Sequence, residues 1–387
     1  MELLFKIFIK DRENVTDANV RRHYGELGGT VGIILNICLF VFKLSAGLLT
    51  KSIGIIADAM NNLSDAGSSI ITLTSFKMSG KPADNDHPFG HGRIEYISAL
   101  FVSIAILLMG FELAKSSIEK IIHPEPIEFK WIMIIILAAA ILIKTWMFFF
   151  NKKIGMKIDS QTMIATSKDS LSDSVATSSV LVGILIAHFA NLQIDGLIGL
   201  VVSMFIFYTG ISTIKQSIAP LLGQEPDPKL VQEIEQMVMA HKSIEGIHEL
   251  VIHNYGPTRF MVSLHTEVPA DADIIEIHDR IDRIEKELNE KFGCEAVIHL
   301  DPIETNNAVV VENRAKIKGI VGNISDELSV HDFRMVSGPT HTKLIFDVVV
   351  PRDFSMTQTV LDVEIKNRIL QYNPHYCAVI YYDREYI

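Results

Sequence analysis

The stretch "KDSLSDSVAT", residues 168–177, places two aspartates, Asp169 and Asp173, four positions apart. It is followed by "SSVLVGILIAHFANLQIDGLIGLVVSMFIFYTG", a run that is almost entirely apolar. Residues four apart on a helix share one face, so the two carboxylates point the same way. A second stretch, "IADAMNNLSDAGSS", repeats the device with Asn61 and Asp65. An acid at bilayer depth costs about 2.5–3.5 kcal/mol on insertion scales. Nearby hydroxyls (Ser64, Ser68, Ser172, Thr177) could satisfy any one of these acids. Three acids and an amide on two helices are better explained as a cation site. Asp58, seven residues before Asp65, reads as a structural hydrogen-bonding group or an entrance acid.

The chain around these stretches is 387 residues long and 48% hydrophobic, with most of the apolar weight in its first 220 or so residues. Six segments are long enough for the roughly 20-residue crossing of a bilayer: 28–50, 53–78, 94–121, 131–150, 162–190 and 194–217. The last two are joined by "ANLQ" and form a hairpin. Positive charge gathers in the lead-in (Lys6, Lys10, Arg12, Arg21, Arg22), in the second loop (Lys77, Lys81, Arg93) and in the fourth (Lys152, Lys153, Lys157). The opposite loops hold mainly Lys51, Lys120 and Lys130. By the positive-inside rule, both termini are expected in the cytoplasm of a multi-pass cell-membrane protein. The opening residues read as a charged amphipathic lead-in with no secretory signal. Four parts are expected: lead-in 1–27, transmembrane domain 28–221, soluble domain 222–304 and a second soluble repeat 305–387.

A net charge of −11 and the lack of a basic patch with interleaved aromatics argue against nucleic acid. Three scattered cysteines exclude a cysteine metal site as the main idea. No nucleophile–base pair stands out, so no enzyme is expected. Carboxylate and amide oxygens without imidazole or thiolate favour Mn²⁺, with Fe²⁺ next, whereas Zn²⁺ prefers nitrogen or sulfur. An entering metal must displace the protons that such ligands hold.

On these residues the chain resembles the cation diffusion facilitators, six-span exporters that exchange divalent metal for protons. The resemblance implies that Asn61, Asp65, Asp169 and Asp173 form the transport site. Zinc-type members carry histidine where this chain has Asp169, so the set is similar to the manganese-exporting branch. In "GKPADNDHPFGHGRIEY", Asp84, His87 and His91 can reach one ion, and members carry an Asp/His/His site there. Arg93 matches a basic residue that interlocks with the end of segment six, where Gly223 now stands in place of an acid.

The soluble half repeats itself. "GIHELVIHNYGPTRFMVSLHTEVP" is echoed by "SVHDFRMVSGPTHTKLIFDVVVP", each followed by a helix and a short strand and preceded by a helix. The α-β-β-α-β order is similar to the ferredoxin-like module of the family, present here in two copies. In copy one, His248, His265, His278, His299 and Asp301 fall close to the family's binuclear cytoplasmic site. In copy two, His331, Asp347 and Asp383 stand for His248, His265 and Asp301, but Tyr381 and Val360 replace His299 and His278, so copy two is expected to be metal-free. The expected protein is a homodimeric, proton-coupled efflux transporter in the lipid bilayer, joined through its cytoplasmic domains. Its substrate and cytoplasmic ligand is Mn²⁺, or alternatively Zn²⁺ or Fe²⁺, with no tightly bound cofactor. The alternative class is a membrane-anchored metal sensor.

Overall fold

The computed structural model describes the chain except for residues 16, 51, 52, 124–130, 191, 193, 258, 352 and 385–387, and without the side chains of residues 18, 47, 49, 50, 53–55, 57, 58 and 384. Lys51, Lys130, part of the "ANLQ" turn and the Asp58 side chain thus lie outside the described residues. The chain divides into two compact units. The first comprises residues 1–224 with 254–259, and the second comprises residues 225–253 and 260–387.

The first unit is helical. A short α1 (Glu2–Phe8) precedes α2 (Ala18–Thr50), α3 (Ile53–Ser79), α4 (Ile94–Ile122), α5 (Trp131–Lys157), α6 (Gln161–Ala190) and α7 (Asp195–Leu222). Among the described residues, five helices are long and apolar enough to cross a membrane: α2 (from Asn19 to Ala46), α4, α5, α6 and α7. α3 is not among the five, although it is 27 residues long. It is the helix that carries Asn61, Asn62, Asp65 and a run of serines and threonines, so the polar site dilutes the very signal by which a span is recognised.

Without a hydrophobic drive between apolar helices, close contact depends on small residues. α2 lies against α3 at Gly29, where an added Cβ would stand 2.9 Å from the Leu73 backbone. α4 and α7 meet at Gly196, where a Cβ would stand 2.8 Å from the Ser117 carbonyl oxygen. α1 adds an aromatic plug: Phe5, 1% exposed, stacks on Phe150 at 5.7 Å and meets Tyr24 edge-on at 5.3 Å.

One ion pair ties several of these helix ends together. Arg21 of α2 donates to Glu95 of α4 through Nη1 (2.6 Å) and Nη2 (2.9 Å), and through Nε to the Ile158 carbonyl (2.8 Å). Glu95 is fully buried and Arg21 nearly so. The planar guanidinium fits a carboxylate in this two-pronged way and still has donors left for the α5–α6 connection. Arg93 does not reach α7. Its guanidinium donates to the Asn254 carbonyl (3.1 and 2.7 Å) and lies 4.6 Å from the Tyr255 ring centroid. Gly223 has no side chain to pair with a guanidinium, and with φ 89° it serves as the left-handed cap of α7.

The second unit contains α8 (Pro228–Met239), β1 (Gly246–Asn254), β2 (Phe260–Pro269), α9 (Ile274–Phe292) and β3 (Glu295–Ile303). It continues with α10 (Ala308–Gly322), β4 (Ser329–Ser337), β5 (Thr342–Val350), α11 (Gln358–Tyr372) and β6 (Tyr376–Arg384). Two three-stranded sheets result, ordered β1-β2-β3 and β4-β5-β6, so the α-β-β-α-β order occurs twice. The helices start where the sequence caps them: Asp227 before Pro228, Asp273 accepting from Ile275 and Glu276, and Asn307 accepting from Val309. Alternation sends Val262, Leu264 and Val268 of β2 into the first core and Leu344, Phe346 and Val348 of β5 into the second.

Removing one partner of a buried ion pair typically costs about 3–5 kcal/mol, because the other charge is left without compensation. Glu95→Ala should therefore lower the unfolding temperature of the detergent-purified protein clearly. A variant as stable as the parent would show that the Arg21–Glu95 pair holds nothing together.

Candidate metal sites

Asp65 of α3 and Asp169 and Asp173 of α6 are each less than 10% exposed. One carboxylate oxygen from each lies within 4.8 Å of the others, close enough to ligate a single ion. The four-residue spacing in α6 does what the sequence implies, putting both acids on the face turned to α3. Hydroxyls flank them: Thr72 and Thr166 hydrogen-bond between α3 and α6 at 3.0 Å, and Thr145 and Ser174 between α5 and α6 at 2.8 Å. The suggestion that Ser172 satisfies an acid is not met, since its Oγ is buried without a hydrogen-bond partner.

The group that does reach the acids is one that the periodic reading passes over. Lys144 of α5, 3% exposed, places Nζ 2.7 Å from Asp65 Oδ2 and 2.5 Å from Asp173 Oδ2. An ammonium among apolar helices needs such partners, and so do the carboxylates. A cavity of about 400 Å³ opens beside them, with Lys43, Asn61, Asp65, Glu112, Lys144 and Asp173 among its lining. Asn61 is exposed on this cavity wall. The amide that donates to Asp65 is its neighbour Asn62, through Nδ2 to Oδ2 at 3.2 Å, and it is 3% exposed.

In the loop before α4, Asp84, His87 and His91 come together as the spacing suggests. Asp84 Oδ1 accepts from the His87 backbone N–H at 2.7 Å, and Oδ2 stands 3.4 Å from His91 Nε2. The two rings are 4.5 Å apart. The His87 backbone hydrogen bond, helped by the neighbouring imidazoles, holds the Asp84 carboxyl below its ordinary range. His91 Nδ1 is buried without a partner.

The strands of the first sheet carry the third group. β2 and β3 pair in parallel with His265 opposite His299 and Glu267 opposite Asp301, so all four stand on the face away from the core. Glu249 breaks the alternation of β1 with φ 52°, and this local twist accompanies His248 on the same side. Asp301 is the hub. Its Oδ2 stands 3.1 Å from His248 Nε2 and 2.9 Å from His265 Nδ1, and its Oδ1 stands 3.5 Å from His299 Nε2. Burial would raise the Asp301 carboxyl, but the hydrogen bonds from His248 and His265 outweigh it and hold it low. Burial likewise opposes charge on His248, but Asp301 overcomes it and raises the imidazole. His278 does not join this group. It stands on α9 with its ring largely exposed, 3.5 Å from Asp282, because the helix packs on the opposite side of the sheet.

Copy two reaches the same place. His331 of β4 stacks on His248 with ring centroids 4.9 Å apart, and the Asp332 backbone N–H donates to Glu267 at 3.2 Å. Burial, then the His248 charge, depresses the His331 imidazole to about 4. Burial and the carboxylates of Asp383, Asp332 and Glu249 push Asp347 up to about 6.

Comparison with known proteins agrees with this architecture. Residues 29–222 match the cation efflux transmembrane domain, and residues 226–303 match the cytoplasmic domain of cation efflux proteins. An uncharacterized transporter of Methanocaldococcus jannaschii is 31% identical over 275 residues, 71% of this chain and 97% of that protein. The manganese efflux system protein MneS of Bacillus subtilis is 28% identical over 281 residues, 72% of this chain and 96% of that one. The cation-efflux pump FieF of Cronobacter sakazakii is 28% identical over 265 residues, 68% and 88% respectively. The chain belongs to the cation efflux family, the cation diffusion facilitators. It is a membrane transporter of divalent metal cations and not an enzyme.

Proposed function

We propose that the protein exports Mn²⁺ in exchange for protons, and that Asp65, Asp169 and Asp173 carry the ion with Asn61 at the cavity wall. The observation that carries this reading is the set of three carboxylates within ligand distance of one another among apolar helices. Their oxygens suit a hard cation, and the set lacks the imidazole or thiolate that would draw Zn²⁺. The similarity to a manganese efflux protein supports the same choice. Zn²⁺ and Fe²⁺ are the alternative substrates.

Lys144 gives the cycle its resting form. Its ammonium holds Asp65 and Asp173 at the positions a metal would need. An arriving divalent ion displaces that tethered cation, so the carboxylates are never left facing one another without a positive charge. When the metal leaves on the far side, protons or the ammonium take its place. Alternating access is a rocking of helices around a fixed site, as in other transporters.

In this reading α3 is the sixth span, since it carries Asp65. Lysines and arginines then place both termini in the cytoplasm of a cell-membrane protein. Copy one is a ferredoxin-like metal-binding module and pairs protomers as a homodimer. Copy two is a second such module with no ion of its own. The Asp84, His87 and His91 loop is a further cytoplasmic binding site.

Asp65→Ala, Asp169→Ala or Asp173→Ala should each abolish metal uptake into vesicles holding the reconstituted protein, while Asn61→Ala should only slow it. Exchange of metal for protons retained by Asp173→Ala would refute the assignment. Asp169→His removes a charge and adds a nitrogen ligand, so the ratio of Mn²⁺ to Zn²⁺ uptake should fall. A ratio that is unchanged or higher would mean that groups behind the ligands set the choice.

A further inference from the structure

The contact between the two cytoplasmic copies contains a second kind of donor set. His248 and Glu267 come from copy one, on β1 and β2, and His331 comes from copy two, on β4. One ring nitrogen of each histidine and one oxygen of Glu267 lie within 4.8 Å of one another. His248 and Glu267 are 7% and 4% exposed, and the His331 ring covers His248 at 4.9 Å. The match to the family's cytoplasmic domain spans residues 226–303, so His331 lies beyond it.

Three details point from this cluster to an ion. The Nδ1 of His248 is buried without a hydrogen-bond partner, while its Nε2 faces Asp301 at 3.1 Å. An imidazole that turns one nitrogen to a carboxylate and leaves the other bare is the usual arrangement of a metal-bound histidine. Next, the contact between the copies is crowded with acids. Glu249, Glu267 and Asp301 of copy one face Asp332, Asp347 and Asp383 of copy two, and burial together with neighbouring carboxylates raises Asp332, Asp347 and Asp383. Against them stand Arg334, paired to Asp332 at 2.6 Å, and Lys318 near His331. Finally, equivalent residues meet. His248 and His331 occupy the same place in the two repeats, and each is followed by a residue of positive φ, Glu249 at 52° and Asp332 at 46°. Such a pseudo-symmetric contact places like groups opposite one another, as an isologous interface does.

We infer that His248, Glu267 and His331 form a cation site between the two repeats, one that neither copy could build alone. Two imidazoles and a carboxylate, with a fourth position open to water, suit Zn²⁺ or a similar late first-row ion rather than Mn²⁺. The site is thus distinct in chemistry from the oxygen-only set in the membrane, and the inference does not depend on which ion that set carries. It adjoins the His265, His299 and Asp301 group through His248, whose Nε2 faces Asp301, but Glu267 and His331 belong to it alone. A bound ion clamps copy two onto copy one and stabilises that arrangement as free metal rises above its dissociation constant.

Zn²⁺ binding to the full-length, detergent-purified chain tests this by equilibrium dialysis and metal analysis, with the parent, His331→Ala and Glu267→Gln compared. The Glu267→Gln change keeps an oxygen for the Asp332 N–H but loses the anionic ligand, so it guards against a packing defect in the other variant. Each variant should lose one equivalent of Zn²⁺, or bind that equivalent about tenfold or more weakly, while the remaining equivalents stay in place. Co²⁺ bound at this site should also lose its visible d–d absorption in both variants. Parent stoichiometry and affinity in Glu267→Gln would overturn the inference, whatever the fate of His331→Ala.

Discussion

A lysine ammonium inside an apolar helix bundle has to be answered by negative charge, and three acids on neighbouring helices have to be answered by positive charge. In this protein each answers the other. Lys144 on α5 reaches Asp65 on α3 and Asp173 on α6, so one cation joins three helices around the cavity. A buried pair of this kind is poor at adding stability, because desolvation cancels much of its attraction. It is good at fixing where the partners stand. Here it keeps the Asp65 and Asp173 carboxylates close together on α3 and α6.

The rest of the helical unit supports that arrangement. Glycines at the α2–α3 and α4–α7 contacts let backbones approach closely. The Arg21–Glu95 pair and the Phe5 plug tie helix ends together. The second unit has a different chemistry. Its site faces combine imidazoles with carboxylates, whereas Asp65, Asp169 and Asp173 offer oxygens alone. One chain therefore presents donor sets suited to two classes of divalent ion.

Much of this could be read from the sequence. The four-residue spacing of Asp169 and Asp173 sets their common face, and the repeat in residues 228–387 implies the α-β-β-α-β element order of each copy. The loop trio Asp84, His87 and His91 converged as expected. Lys144 was missed because it lies in "IIILAAAILIKTWMFFF", a run read only for its length; a lone charge inside such a run was itself the signal. Glu95, in the first turn of α4, shows its role only through the buried pair it makes with Arg21. Asn62 was passed over for Asn61 because the spacing to Asp65 favoured the latter, while a three-residue step also reaches it. His278 was drawn in by the resemblance, and its place on the far side of the sheet shows only in the packing. That His331 would meet His248 could not be read at all, since pattern within a repeat says nothing of how two repeats dock.

The central claim is that a divalent cation and the Lys144 ammonium occupy one site in turn. A structure of the full-length protein with bound Mn²⁺, in which the metal is located by its anomalous scattering, tests it most directly. The account predicts Mn²⁺ bound by the oxygens of Asp65, Asp169 and Asp173, with Lys144 Nζ withdrawn from both of its present partners. Mn²⁺ bound elsewhere in the bundle while Lys144 still bridges Asp65 and Asp173 would contradict it.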